Sequence, residues 1–167
     1  MKTVVVSAFP ACGKSYLFEN QEKYNLTCLD SDSSEFSWIK DVDGNNTSDR
    51  DPQFPTNYIK HIEDNIGKVD VIFVSSHEAV VSALDESEIS YVKVVPSPKC
   101  KAEWMGRFWL RGNDDRFICF IKDNWEEFTS PQKDLAKDNM VGKLTLNNGE
   151  YISDHIDWLT SLVGNYK

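Results

Sequence analysis

The sequence predicts an α/β fold in which a parallel sheet is covered by helices on both faces. Three observations carry this expectation. Continuous, β-branched apolar runs recur at 3–8, 69–75 and 91–95, as in strands buried on both sides. Helix-like segments separate them, so strands and helices alternate along the chain. The polar clusters fall directly after the strands, where open parallel sheets bind their ligands.

The first strand is expected over 3–8 and the first helix over 14–20. Residues 26–29 form a short second strand that runs into Asp30-Ser31-Asp32-Ser33-Ser34. A helix follows over 33–40, with Trp38 and Ile39 facing inward. The stretch 41–55 is acidic and rich in Asn, Asp, Gly and Pro, and reads as a mobile loop. Tyr58, Ile59, Ile62 and Ile66 share one side of an amphipathic helix over 56–66. The third strand spans 69–75, a helix 77–84, and the fourth strand 91–95, stopped by Pro96 and Pro98. A helix over 99–111 carries Trp104, Phe108 and Trp109. Asp114 or Asp115 caps the next, which runs to about 128. The fifth strand lies at 143–146, turned by Asn147-Asn148-Gly149. A last helix covers 153–163, capped by Ser153 or Asp154. By helical spacing, Trp104, Trp109, Trp125 and Trp158 belong to the core.

Composition narrows the function classes. The 167 residues are the size of one domain, 1–167, and 40% are hydrophobic, which marks a globular chain. A net charge of −9 disfavours sequence-independent binding to nucleic acid, although a local basic groove is compatible with it. No signal peptide or membrane span is expected, so the chain reads as cytoplasmic, a monomer or homodimer. Cys12, Cys28, Cys100 and Cys119 lack Cys-x-x-Cys spacing and read as reduced thiols, not a zinc site.

The motif richest in chemistry is Ala8-Phe9-Pro10-Ala11-Cys12-Gly13-Lys14-Ser15, followed by Tyr16, between the first strand and the first helix. Backbone N–H groups of such a loop wrap a β-phosphate, and the helix start favours negative charge. Lys14 reaches the β- and γ-phosphates, and Ser15 places its hydroxyl on Mg²⁺. Ala8 stands where this motif has its first glycine; the change removes backbone freedom but adds little bulk. Cys12 in this loop is either a small filler or a thiol activated by the helix start.

Other candidates sit at strand ends. Asp30 can support Mg²⁺. Asp32 can orient or deprotonate an acceptor, and Asp32-x-x-Glu35 is also a capping box. Asp70 begins the third strand, the wrong end for phosphates, so a motor ATPase or a GTPase switch is disfavoured. His77 follows the third strand as a ligand contact or a helix-start residue. Lys93, Lys99, Lys101, Arg107 and Arg111 face only Glu103 within 93–111, a basic island. Arg107 and Arg111, four apart on one helix face beside Gly112, suit a lid over a transferring phosphoryl group. Arg50 can grip an acceptor phosphate, and Phe54 or Tyr58 can stack on a base.

Together these residues resemble the small P-loop kinases of the nucleoside-monophosphate-kinase type, most of all the short deoxynucleotide-kinase-like proteins of bacteriophages. The resemblance rests on the 8–15 motif, Asp30-Ser31-Asp32, Phe54-Pro55-Thr56-Asn57-Tyr58 and Arg107-Phe108-Trp109-Leu110-Arg111-Gly112. The paired acids are also similar to those of shikimate and gluconate kinases, where they face metal and a hydroxyl acceptor. The resemblance implies a three-layer P-loop NTPase fold with strand order 2-3-1-4-5. It implies ATP as donor, Mg²⁺, an acceptor-binding insert at about 33–66 and a lid at about 99–116. The expected activity is ATP- and Mg²⁺-dependent phosphoryl transfer to a small nucleotide, a nucleoside or deoxynucleoside monophosphate. The alternatives are a hydroxyl acceptor, including a modified base in DNA, a sugar or a polyol, and a non-catalytic nucleotide-binding regulator.

Overall fold

Strands whose successive residues face two different apolar clusters build the architecture. In the computed structural model, which describes residues 2–130, 134 and 138–164, β1 (Val4–Ala8) is buried throughout. Its Val4, Val6 and Ala8 join one apolar cluster, while Val5 joins another. In β5 (Val71–Ser75), Val71 and Phe73 face the first cluster, and Ile72 and Val74 the second. The sheet is therefore covered on both sides, which accounts for the unbroken apolar runs.

Five strands form the parallel sheet: β1, β5, β2 (Cys28–Asp30), β6 (Tyr91–Pro96) and β7 (Met140–Leu146). Numbered along the chain, the strands lie side by side in the order β2-β5-β1-β6-β7. This differs from the expected 2-3-1-4-5 because two hairpin strands outside this sheet take numbers between its second and third strands.

That hairpin corrects the expected helix over 33–40 and the mobile loop over 41–55. Only Ser34–Ser37 is helical (α2); β3 (Trp38–Lys40) then pairs antiparallel with β4 (Asn46–Arg50). One Asp41 carboxyl oxygen accepts from the Asp43 and Asn45 N–H groups, and Gly44 supplies the left-handed residue of the turn (φ 82°). Ile39 is exposed, and Trp38 is only half-buried.

On one sheet face lie α3 (Thr56–Asn65) and α4 (Glu78–Glu86), which bury Tyr58, Ile59, Ile62, Val80 and Leu84. On the other lie α1 (Lys14–Glu19), α5 (Lys101–Leu110) and α8 (Ile156–Gly164). Beside them pack α6 (Asp115–Asp123) and α7 (Trp125–Thr129), two helices where one was expected, broken at Asn124. Asp114 caps α6 by accepting from the Phe117 N–H. Neither Ser153 nor Asp154 caps α8: a 3₁₀ turn precedes it, and Asp154 accepts from the Tyr151 N–H. Trp104 and Trp125 are fully buried, whereas Trp109, expected in the core, is 71% exposed. Among the described residues no helix is long and apolar enough to cross a membrane.

Candidate functional site

The carboxyl ends of β1, β2 and β5 open onto a cleft of about 490 Å³. Its wall is the turn between β1 and α1, and this turn is held from outside. Trp104 Nε1 donates to the Pro10 carbonyl (3.0 Å), Arg107 Nη1 to Ala11 O (3.1 Å), and the Ile152 N–H to Cys12 O (3.0 Å). A trans peptide points its carbonyl and its N–H in opposite directions. Drawing these three oxygens outward therefore turns the N–H groups of Ala11, Cys12 and Gly13 inward. None of them, nor the N–H of Lys14 or Ser15, is bonded to another described residue. The first bond of α1 runs from the Leu17 N–H to Gly13 O. Five donors thus converge at a helix start, an arrangement suited to an anion.

Gly13 has a physical reason to be glycine. Its φ is 98°, and a Cβ would sit 3.3 Å from the Tyr151 ring and Cβ. Tyr151, 42% exposed, also lines the cleft. Sequence reasoning missed it, because its contact with Gly13 spans most of the chain and the 147–149 segment signalled only a turn.

Lys14 is half-buried and donates to Ala8 O (3.1 Å). Burial pushes its ammonium down from the ordinary value, against the pull of Asp30 and Asp32. Ser15 Oγ donates to Asp30 Oδ2 (2.9 Å). A hydroxyl and a carboxylate side by side are hard oxygen donors of the kind Mg²⁺ takes together with phosphate oxygens and water, so these two residues fit the expected metal. Among the described residues, no group of three or more His, Cys, Asp or Glu is placed to hold a metal ion.

Asp32 also lines the cleft. Its Oδ1 accepts from the Ser34 N–H (2.9 Å), while Glu35 pairs with Lys40, so the Asp32–Glu35 capping box does not form. Asp32, Ser33 and His77 also line a second pocket of about 560 Å³, shared with Trp38, Arg50 and Phe54. The Arg50 guanidinium lies over the Trp38 ring at 4.0 Å. Burial pushes the His77 imidazole down, opposed by Asp32, and Arg50 and Lys14 push it further. His77 is thus a neutral group at the wall between the pockets at neutral pH.

Three expected site residues take other places. Tyr58 is fully buried and donates to Ser31 O (2.7 Å), so it belongs to the core and cannot stack on a ligand; Phe54 alone of that pair lines a pocket. Cys12 is also fully buried, and burial pushes its thiol up to about 12, which makes it a filler and not a thiolate. Arg107 is 7% exposed and pairs with Glu103. Its guanidinium lies between the Trp104 ring (3.8 Å) and the Tyr151 ring (4.0 Å). It also lines the cleft, while its guanidinium hydrogen-bonds to Glu103, Ala11 O and Glu150 O. Arg111 is exposed, lines the cleft and makes no hydrogen bond or ion pair with a described residue. The Glu103-x-x-x-Arg107 spacing was the available signal that these two arginines differ.

A crystal structure of an uncharacterized protein from Eubacterium ventriosum ATCC 27560 shares this fold. The likeness covers 98% of each chain with a TM-score of 0.52 at 10% identity. No family model and no curated protein matches the chain.

Proposed function

We propose that the chain is an ATP- and Mg²⁺-dependent phosphotransferase acting on a small nucleotide, in the manner of nucleoside-monophosphate kinases. One observation carries this reading: the N–H groups of residues 11–15 converge unbonded on a cleft that also holds Lys14, the Ser15–Asp30 pair and Arg111. A polyphosphate suits that environment, since backbone donors, an ammonium and a guanidinium all meet its oxygens. Ser15 and Asp30 would hold the metal, which when bound offsets charge on the phosphate oxygens. Arg111 stands at the cleft wall, where charge spreads over the transferring group. The acceptor takes the second pocket, with Arg50 for its phosphate and Phe54 against its base.

A second reading, a hydroxyl acceptor, is favoured by the position of Asp32. Its carboxylate is oriented by the Ser34 N–H on the wall common to both pockets, where an acceptor hydroxyl needs a proton acceptor. The experiment is Mg-ATP consumption against a panel of nucleoside monophosphates, hydroxymethylated nucleosides and DNA carrying hydroxymethylated bases, with products identified by mass. Acceptor-dependent ADP and a phosphorylated product support the kinase reading and name the acceptor. ATP binding without turnover on any acceptor supports a nucleotide-binding regulator. Turnover on DNA that falls steeply with salt supports a modified base as substrate.

A further inference from the structure

Ala11 is a non-glycine residue held at φ 63°. The left-handed region costs an alanine free energy, and such a residue persists where its surroundings fix it. What fixes Ala11 is a network behind the loop. Arg107 Nη1 donates to Ala11 O, and Nη2 donates to Glu150 O (2.8 Å) and to the Glu103 carboxylate. Glu103 in turn accepts from the Gly149 N–H (2.9 Å). One guanidinium thereby joins α5, the turn before α8 and the loop, and two aromatic faces enclose it.

We propose that Arg107 is a positioning residue for phosphate binding: by holding Ala11 O outward it presents the Cys12 N–H to the cleft. Without that bond Ala11 relaxes toward right-handed backbone, and the 11–12 peptide turns. An acceptor then faces the anion where a donor stood. The inference rests on the phosphate-binding reading above, and it gives Arg107, whose hydrogen bonds run to Ala11, Glu103 and Glu150, an indirect role.

The test is calorimetric titration of inorganic tripolyphosphate into the wild type and four variants. Arg107→Met is expected to weaken binding about tenfold, and Arg107→Lys, which keeps charge beside Glu103 but loses the fork, by about threefold. Adding Ala11→Gly to Arg107→Met restores part of the affinity, because glycine adopts positive φ without the penalty an alanine carries. Leu84→Ala, buried under the opposite sheet face, lowers stability and leaves affinity unchanged. A purely structural role for Arg107 predicts no rescue by Ala11→Gly, and that result overturns the proposal. Wild-type affinity in both Arg107 variants overturns it as well. If Arg107→Met does not fold, Arg107→Lys with and without Ala11→Gly decides by the same criterion. A wild type that binds no tripolyphosphate overturns the phosphate-binding reading itself, and the proposal with it.

Discussion

On the proposed reading, Lys14 serves the phosphoryl donor and Asp32 the acceptor, so their variants test the two separately. Lys14 donates only to a carbonyl, so Lys14→Met removes a cation from the cleft without breaking an ion pair. Phosphoryl transfer is expected to fall at least about a hundredfold with little change in Tm, measured by ADP release and thermal melting. Asp32→Asn keeps an oxygen for the Ser34 N–H, so the turn survives. With a monophosphate acceptor, kcat is expected to drop less than about tenfold, because a phosphate needs no base. A loss of about 10²–10⁴ in a folded variant establishes the hydroxyl acceptor instead. Cys12 yields a pH prediction. Burial raises its pKa to about 12, so the thiol stays neutral across the working range. The stability tied to that neutrality is present below the ordinary thiol value of 9.0 and is lost as pH climbs toward about 12. Iodoacetamide at about pH 8 is expected to label exposed Cys119 and spare buried Cys12, read by mass spectrometry of peptides.

At the scale of elements, the β3–β4 hairpin forms part of the second pocket, and it was the element least legible in the sequence. Asn46 to Arg50 is polar on both faces and largely exposed, so the alternation that betrays a half-buried strand is missing. The sheet strands were legible for the opposite reason: burial on both sides writes itself as unbroken Val and Ile. The turn from β1 into α1 was legible because its signal is local, a strand followed at once by Gly13, Lys14 and Ser15. The clamp behind it was not, since Trp104, Arg107 and Ile152 arrive from distant segments and the pattern of each suits an ordinary core or surface. The hairpin makes its own prediction. Trp38→Ala removes the ring under Arg50 while leaving the loop untouched. The KM for the acceptor is expected to rise about fivefold, with the KM for Mg-ATP unchanged. A rise in the ATP value alone would place the acceptor elsewhere.

For the whole molecule, the two sheet faces are not equally apolar, and this sets its response to acid. Lys93 of β6 and Lys143 of β7 lie opposite each other in register. Like charges so placed repel, and Asp134 relieves this by pairing with both. All three side chains are at least three-quarters covered, so loss of the carboxylate leaves two cations poorly solvated. Burial alone would raise the Asp134 pKa, but the two lysines outweigh it and hold the carboxyl below its ordinary value. A lowered pKa contributes stability that is full above the unfolded value, about 3.9, and is lost as pH falls through the folded one. Asp134→Asn is therefore expected to cost about 2–3 kcal/mol at neutral pH, a fall in Tm of roughly 5–10 °C. It is also expected to flatten the acid limb of stability below about pH 4, because the variant has no carboxylate there to protonate. Urea melts at a series of pH values measure both effects. An acid limb as steep in the variant as in the wild type would shift the sensitivity to the Glu103–Arg107 pair. There burial is again outweighed, by the Gly149 N–H and Arg107, and protonation loosens the support of the loop itself.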